Sequence, residues 1–288
     1  MHSFGIVITT RNREFDLRKL CDLLSKSSEW SEIPLWIHDD ASNNVSNVYY
    51  EFIKDIASFQ LRNPHCLGLI VNRNISNASS PFDFIFSLDD DSCFVDVDGP
   101  ALAIKYLKEN PNVAALGFPL VDSLTPSDSP AGEPFPCQTY IGCAHLIRKD
   151  VFLKLGGYRS DFVHQCEEPE LCTRIWNAGY EIHAFPKCRV HHWVSKEFRL
   201  SQRAGFYGPR NRVWSHFLHT PTILLPFEVI KTFGSYAKYS FTSKVPLAHL
   251  KGFLTGIFMG ITTLNQREAL TLEQYRNLTK LPLFPHRP

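Results

Sequence analysis

Three consecutive carboxylates, Asp89-Asp90-Asp91, follow directly on the apolar run Ile85-Phe86-Ser87-Leu88. Like charges this close repel one another, so they are costly unless a cation neutralises them. Hard divalent ions such as Mg2+ or Mn2+ bind through one or two carboxylates together with substrate phosphates. Side chains alternate along a strand, which puts Asp89 and Asp91 on the same side; the plain alternative is an exposed acidic turn. A second pair, in Asp39-Asp40-Ala41-Ser42, also follows a strand-like segment. There a carboxylate can accept hydrogen bonds from a nucleobase or from ribose hydroxyls, or simply cap a turn with Ser42. A third pair, Glu167-Glu168, opens a helical segment. One carboxylate of such a pair can take the proton of an attacking hydroxyl, or both can act as caps favourable to the helix dipole. His191-His192 ends a later strand; alone, such histidines are more often solvent-facing or core residues than ligands.

The segments that must position these groups alternate between two periods. Phe4–Thr9 is a short β-branched run, and Leu17, Leu20, Cys21 and Leu24 then recur at helical spacing. Residues 35–38, 67–71, 84–88, 113–117 and 138–146 read as further strands, with helices over 48–56 and 101–108. This alternation predicts βαβ units and a largely parallel sheet. In open α/β sheets ligands bind beyond the strand ends, where the acidic clusters fall. Residues 121–136, with Pro126, Pro130, Pro134 and Pro136, read as a long loop of the kind that acts as a lid. A short helix at 151–155 stops at Gly156-Gly157, and a better-signalled one has Pro169 at its first position and Gly179 at its stop. Strands at 181–185 and 187–191 close the body.

The ordered set resembles the family 2 glycosyltransferases, inverting enzymes of the GT-A fold that use nucleotide sugars. It runs through Thr9-Thr10-Arg11-Asn12-Arg13, Asp39-Asp40-Ala41-Ser42, Gly68 with Arg73-Asn74, Leu88-Asp89-Asp90-Asp91, Tyr140-Ile141-Gly142-Cys143-Ala144 and Gly156-Gly157-Tyr158. It ends with Glu167-Glu168-Pro169-Glu170-Leu171-Cys172-Thr173-Arg174 and the histidine after Val190, so that it covers roughly residues 4 to 193. Tyr207-Gly208-Pro209-Arg210-Asn211 is similar to a Tyr-x-x-Arg-Asn pattern in the tails of bacterial envelope-polysaccharide members, including O-antigen, capsule and rhamnosyltransferase-like enzymes.

The resemblance implies an α/β GT-A domain over residues 1–196, its mixed and mostly parallel sheet flanked by helices, followed by a basic helical region over 197–288. It implies that Thr9, Arg11, Asp39, Asp40, Arg73, Asp89, Asp90, Gly142 and Arg210 bind a UDP- or dTDP-sugar, with Asp40 on the base and Arg11 in the same pocket. Asp91, with Asp89 and His191, or His192 in its place, would hold Mg2+ or Mn2+ against the diphosphate. Glu168 stands where the family places its general base, beside Glu167, although the family pair is usually Glu-Asp. The acceptor would be a glycan or a lipid-linked saccharide. The chemistry agrees independently, since inverting transfer needs one carboxylate base and positive charge on the departing diphosphate, and no covalent nucleophile. A sugar nucleotidyltransferase is disfavoured, because no Gly-rich loop bearing Arg and Lys opens the chain. A non-catalytic carbohydrate-binding or scaffold protein is disfavoured by the intact acidic set.

Composition bounds the rest. With 44% hydrophobic residues and a net charge of +1, the chain is globular and is no basic nucleic-acid binder. The net charge hides a segregation: residues 1–188 hold 16 Lys+Arg against 25 Asp+Glu, a net of −9, and residues 189–288 hold 14 against 4, a net of +10. Eight scattered cysteines without a CxxC pair point to a reducing compartment. The first apolar run is too short for a signal peptide and no apolar stretch is long enough to span a bilayer, so the expectation is a cytoplasmic protein. The tail segments 223–233 and 247–261 combine apolar runs with Lys231 and Lys251. They suit either a helical cap on the body or peripheral contact with an anionic inner membrane face.

Overall fold

The computed structural model describes residues 3–126, 128–130, 132–193, 201–240, 242–243 and 245–284. Its main sheet has eight strands: β1 (Phe4–Thr10), β2 (Leu35–Asp39), β3 (Phe59–Arg62), β4 (Phe84–Asp89), β6 (Val113–Gly117), β8 (Phe135–Pro136), β9 (Ala144–Arg148) and β10 (Glu181–Ala184). They lie in the order β3-β2-β1-β4-β9-β6-β10-β8. A small second sheet, β5 (Ser92–Phe94), β11 (Val190–His192) and β7 (Leu120–Val121), closes over one end. The pairs β3-β2, β2-β1, β1-β4 and β6-β10 are parallel, whereas β9 runs antiparallel between β4 and β6. Central strands such as β1 and β6 are apolar almost throughout because both sheet faces are covered. The covering helices are α1 (Glu14–Ser25), α2 (Ser28–Ser31), α3 (Tyr49–Ile56), α4 (Leu69–Ser79), α5 (Gly99–Glu109), α6 (Lys149–Lys154) and α7 (Glu167–Asn177). Register aligns the chemistry, for Thr9 pairs with both His38 and Asp89 and Thr10 pairs with Asp39. Three strands therefore release their polar ends at one edge.

The structure departs from the sequence reading in identifiable places. Residues 67–71, expected as a strand, are a turn and the start of α4, and the strand lies earlier at β3, whose alternate burial follows its period-two pattern. The strand expected over 138–146 begins only at Ala144, because residues 138–143 form the irregular segment that reaches the site. Helix α7 starts at Glu167, two residues before Pro169. That proline costs nothing there, since the first N–H groups of a helix have no intrahelical acceptor. The residue before α7 is Cys166, in the left-handed region with φ 68, so Glu168 is not the cap.

Four helices follow: α8 (Ser201–His219), α9 (Leu225–Ser240), α10 (Pro246–Thr262) and α11 (Leu272–Lys280). The boundary expected at 196/197 lies outside the described residues. Trp214 and Leu218 of α8 share a core with Tyr140, Phe162 and Leu171 of the preceding domain. Helix α10 crosses α8 at very short range because Gly252, Gly256 and Gly260 line its contact face. A Cβ at Gly252 would overlap the carbonyl oxygen of Phe206, and one at Gly260 would overlap the Phe217 ring. Among the described residues no helix is long and apolar enough to cross a membrane.

Candidate active site

At the end of β4 the chain turns into β5, and β11 lies antiparallel to β5 with His192 opposite Ser92. This register brings His192 over the acidic turn. Its Nε2 lies 3.0 Å from Asp91 Oδ1, and its Nδ1 lies 3.6 Å from the Sγ of Cys143. Asp91 is almost fully buried, and its other oxygen meets Arg13 Nη2 at 2.6 Å. Burial alone would raise its pKa, but the hydrogen bonds of His192 and Arg13 overcome it and hold the carboxyl well below the usual range. Asp91 Oδ1 fixes the Nε2 end of the His192 ring, which turns Nδ1 toward Cys143. This carboxylate-imidazole arrangement orients metal-ligating histidines. Donor atoms of Asp89, Cys143 and His192 all lie within 4.8 Å of one another.

The neighbouring Asp90 faces the other way. It accepts from Thr10 Oγ1 at 2.8 Å and pairs with Arg13 at 3.1 Å. Burial pushes its carboxyl up to about 8 despite Arg13.

Across the cleft, Arg73 of α4 joins three carboxylates. Its guanidinium lies 2.5 Å from Asp89, 3.0 Å from Glu168 and 3.6 Å from Glu167. Both glutamates have raised pKa values because they are buried, Glu167 being pushed up to about 8 by burial and by the charge of Glu168. Arg73 opposes the rise at each. Gly142 is packed against this group, where a Cβ would collide with Glu168 Oε1 and the Arg73 guanidinium. The Gly142 carbonyl accepts from Ser87 Oγ at 3.1 Å, which ties the loop before β9 to β4.

The segment leading into Glu167 is strained: Val163, Gln165 and Cys166 all have positive φ, costly for residues with a Cβ and most of all for a β-branched one. Helix α8 holds it there. The Asn211 amide donates to the carbonyls of Phe162, His164 and Gln165 at 3.0, 2.8 and 2.7 Å, and Arg210 donates to those of Asp161 and Phe162 at 2.6 and 2.8 Å. Arg210, which the resemblance placed among the donor-binding residues, is thus a clamp on the loop before the glutamates.

The remaining expected residues gather beyond β2. Asp40 is saturated by the Asn63 amide, the Leu67 and Gly68 N–H groups and the Cys66 thiol, so it shapes the turn before α4. Asp39 accepts from the Ser42 N–H at 2.8 Å and the Tyr49 hydroxyl at 3.2 Å. Arg11 is exposed, its charge acting on Cys66, beside Asp40. Thr9 stands between His38 and Asp89 in the sheet register.

Geometry separates the two histidines and the two aspartates. His191 faces the other side of β11, with Nδ1 2.9 Å from the Val121 carbonyl, and it is His192 that joins the acidic turn. Asp91 lies behind His192 as its orienting partner, outside the converging Asp89-Cys143-His192 set. Arg13 and Cys143 were present in the motifs without a role. A cation three residues beyond a strand end was the available signal for Arg13, and nothing local marked Cys143.

An eight-stranded mixed sheet in which β9 runs antiparallel between β4 and β6 and β8 runs antiparallel to β10, an acidic turn after β4 and a small sheet over that turn make up the GT-A fold. No family model and no curated protein sequence matches the chain. Among solved structures it is similar to GalNAc-T7 with UDP, GalNAc and Mn2+, at 16% identity and a TM-score of 0.64, covering 93% of this chain and 55% of that one. The chain thus spans about half the length of GalNAc-T7. It is also similar to the mannosyltransferase PcManGT from Pyrobaculum calidifontis in complex with GDP-Man and Mn2+, at 15% identity and a TM-score of 0.56, covering 92% and 83%. A third is S. aureus TarS 1–349 in complex with UDP-GlcNAc, at 12% identity and a TM-score of 0.60, covering 92% and 82%. At these identities the likeness is one of fold.

Proposed function

We propose that the chain is an inverting glycosyltransferase that moves a sugar from a nucleoside-diphosphate sugar to a hydroxyl of a saccharide acceptor. The observation that carries this reading is the meeting of two groups across Arg73: the converging donors of Asp89, Cys143 and His192, and the buried pair Glu167-Glu168. The fold supports the reading, since a similar fold holds UDP, GalNAc and Mn2+ in GalNAc-T7 and GDP-Man and Mn2+ in PcManGT.

Asp89 offers a carboxylate and His192 an imidazole whose far nitrogen is already fixed by Asp91, and these two suit a divalent ion; burial pushes the Cys143 thiol well up and keeps it protonated, so this soft group would line the site and leave Mg2+ or Mn2+ to the other two. When bound, Mg2+ or Mn2+ supplies positive charge to the departing diphosphate. The chain's own residues do the rest. Glu168 accepts the proton of the acceptor hydroxyl as that oxygen attacks the anomeric carbon, and the bond to the diphosphate breaks with its electron pair on the leaving oxygen. Arg73 keeps Glu168 closer to the ionised form a base requires, and its link to Asp89 ties the base to the donor side of the cleft. Asp39, Asp40 and Arg11 border the space proposed for the nucleoside. A role in bacterial surface polysaccharide synthesis, with a glycan or lipid-linked acceptor, follows from the resemblance of residues 4–193 and of the Tyr207–Asn211 segment.

Thermal shift with UDP, dTDP and GDP, each with and without Mn2+, tests the donor site. Metal-dependent stabilisation by one nucleotide is the expected result, and no response to any would favour a non-catalytic scaffold. Release of nucleoside diphosphate from a panel of nucleotide sugars then identifies the donor.

A further inference from the structure

Helix α10 is apolar on two faces with two different fates. One face, with Gly252, Phe253, Gly256 and Gly260, is buried against α8 and α9. The other carries Leu247, Leu250, Leu254, Phe258 and Ile261, spaced three or four residues apart and therefore aligned along the helix. Ile223, in the turn before α9, and Phe227 and Ile230 within it are exposed as well. The eight side chains range from 47% exposed at Leu250 to 75% at Ile223. So many large apolar groups facing water on neighbouring helices mark an interaction surface, whereas single exposed leucines do not.

Charge decides what covers it. Lys231, Lys238 and Lys251 are exposed on these two helices, while α10 has no acidic residue. The single acid of α9, Glu228, is largely buried and pairs with Lys231 at 3.5 Å. A symmetric contact with a second copy would bring the lysine fringes together with no carboxylate to meet them. A bilayer with anionic headgroups offers apolar depth and negative charge in the same plane, and long lysine side chains reach from one to the other. Since neither helix can span, the pair would lie in the interface.

We propose that the outer face of α9 and α10 docks the protein peripherally on an anionic lipid bilayer. Through α8 this face is rigidly joined to the site. Gly252 and Gly256 seat α10 on the Phe206 and Arg210 backbone, and Arg210 and Asn211 clamp the loop leading into Glu167-Glu168. A bilayer there would hold the acceptor side of the cleft at a fixed height above lipid. Delivery of a lipid-linked acceptor rests on the transferase reading; docking itself stands on the surface alone and is read without turnover.

The test is flotation of the full chain with vesicles of phosphatidylcholine alone and with about a third phosphatidylglycerol, at low and high salt. The protein is expected to float with the anionic vesicles and to lose binding about tenfold in neutral ones. Leu254→Ser/Phe258→Ser and Lys231→Glu/Lys238→Glu/Lys251→Glu are each expected to weaken binding about tenfold or more while keeping the parent's circular dichroism and metal-nucleotide thermal shift. Leu247→Ser, a milder change at the edge of the face, guards against a misfolded double variant. Equal flotation of parent and both variants overturns the proposal. So does failure to float with a dimer that Leu254→Ser/Phe258→Ser dissociates, which would give the face to a second copy, or failure to float as a monomer.

Discussion

Arg73 Nη1 lies 3.0 Å from Glu168 Oε1 while Nη2 of the same guanidinium lies 2.5 Å from Asp89, so one cation spans both sides of the candidate cleft. The two glutamates beside it differ in exposure. Glu168 is partly open to the cleft, whereas Glu167 is buried with its Oε2 lacking a hydrogen-bond partner among the described residues.

Glu168→Gln keeps the shape and removes the base. Turnover is expected to fall about 10²–10⁴-fold, the usual worth of general base catalysis, with nucleotide binding in thermal shift unchanged. Glu167→Gln is expected to retain far more activity. Normal turnover by Glu168→Gln would remove it from the mechanism.

The two adjacent histidines give a paired test. His192→Ala is expected to abolish the Mn2+-dependent part of the nucleotide thermal shift, whereas His191→Ala, which loses a bond to the Val121 carbonyl and a ring contact with Trp193, is expected to preserve it. The opposite pattern would return the ligand role to His191.

Asn211 is a positioning residue, acting on the base through the strained loop it holds. Asn211→Ala removes the amide donor from the His164 and Gln165 carbonyls and leaves Phe162 to Arg210, and is expected to cost about 1–3 kcal/mol of stability. A purely structural role would stop there. Positioning predicts in addition that kcat falls more than tenfold with little change in donor KM, because Glu168 drifts while the donor subsite stands.

The buried Asp90 sets a pH dependence. Its carboxyl titrates at about 8 in the folded protein and near 4 when unfolded, so between those values the folded state holds a proton that the unfolded state has lost. Stability from this group therefore falls as pH rises through that window and is flat above it. Glu167, raised to a similar value, acts in the same direction. Asp90→Asn is expected to make the decline in Tm from pH 5 to pH 9 shallower; an unchanged slope would show that this carboxyl is ionised in the fold.

Much of the alternation of strands and helices, though not α4, which carries Arg73, together with the acidic clusters after β2 and β4 and the glutamates at the start of α7, was legible in the amino-acid sequence. Period, turn residues and charge runs are local signals, and each cluster sits within a few residues of the element that carries it. Even where boundaries slipped, as at 67–71 and 138–146, the clusters stayed at the correct strand ends. Which groups meet was decided by the tertiary structure alone. Arg73 and Glu168 are 95 residues apart, and His192 and Asp91 are 101 apart. The choice of His192 over His191 depends on the register of β11 against β5, and one residue of slip in a strand sends every side chain to the opposite face. The exposure of the second apolar face of α10 was equally hidden, because composition marks a helix as apolar but only packing decides which of its sides is covered.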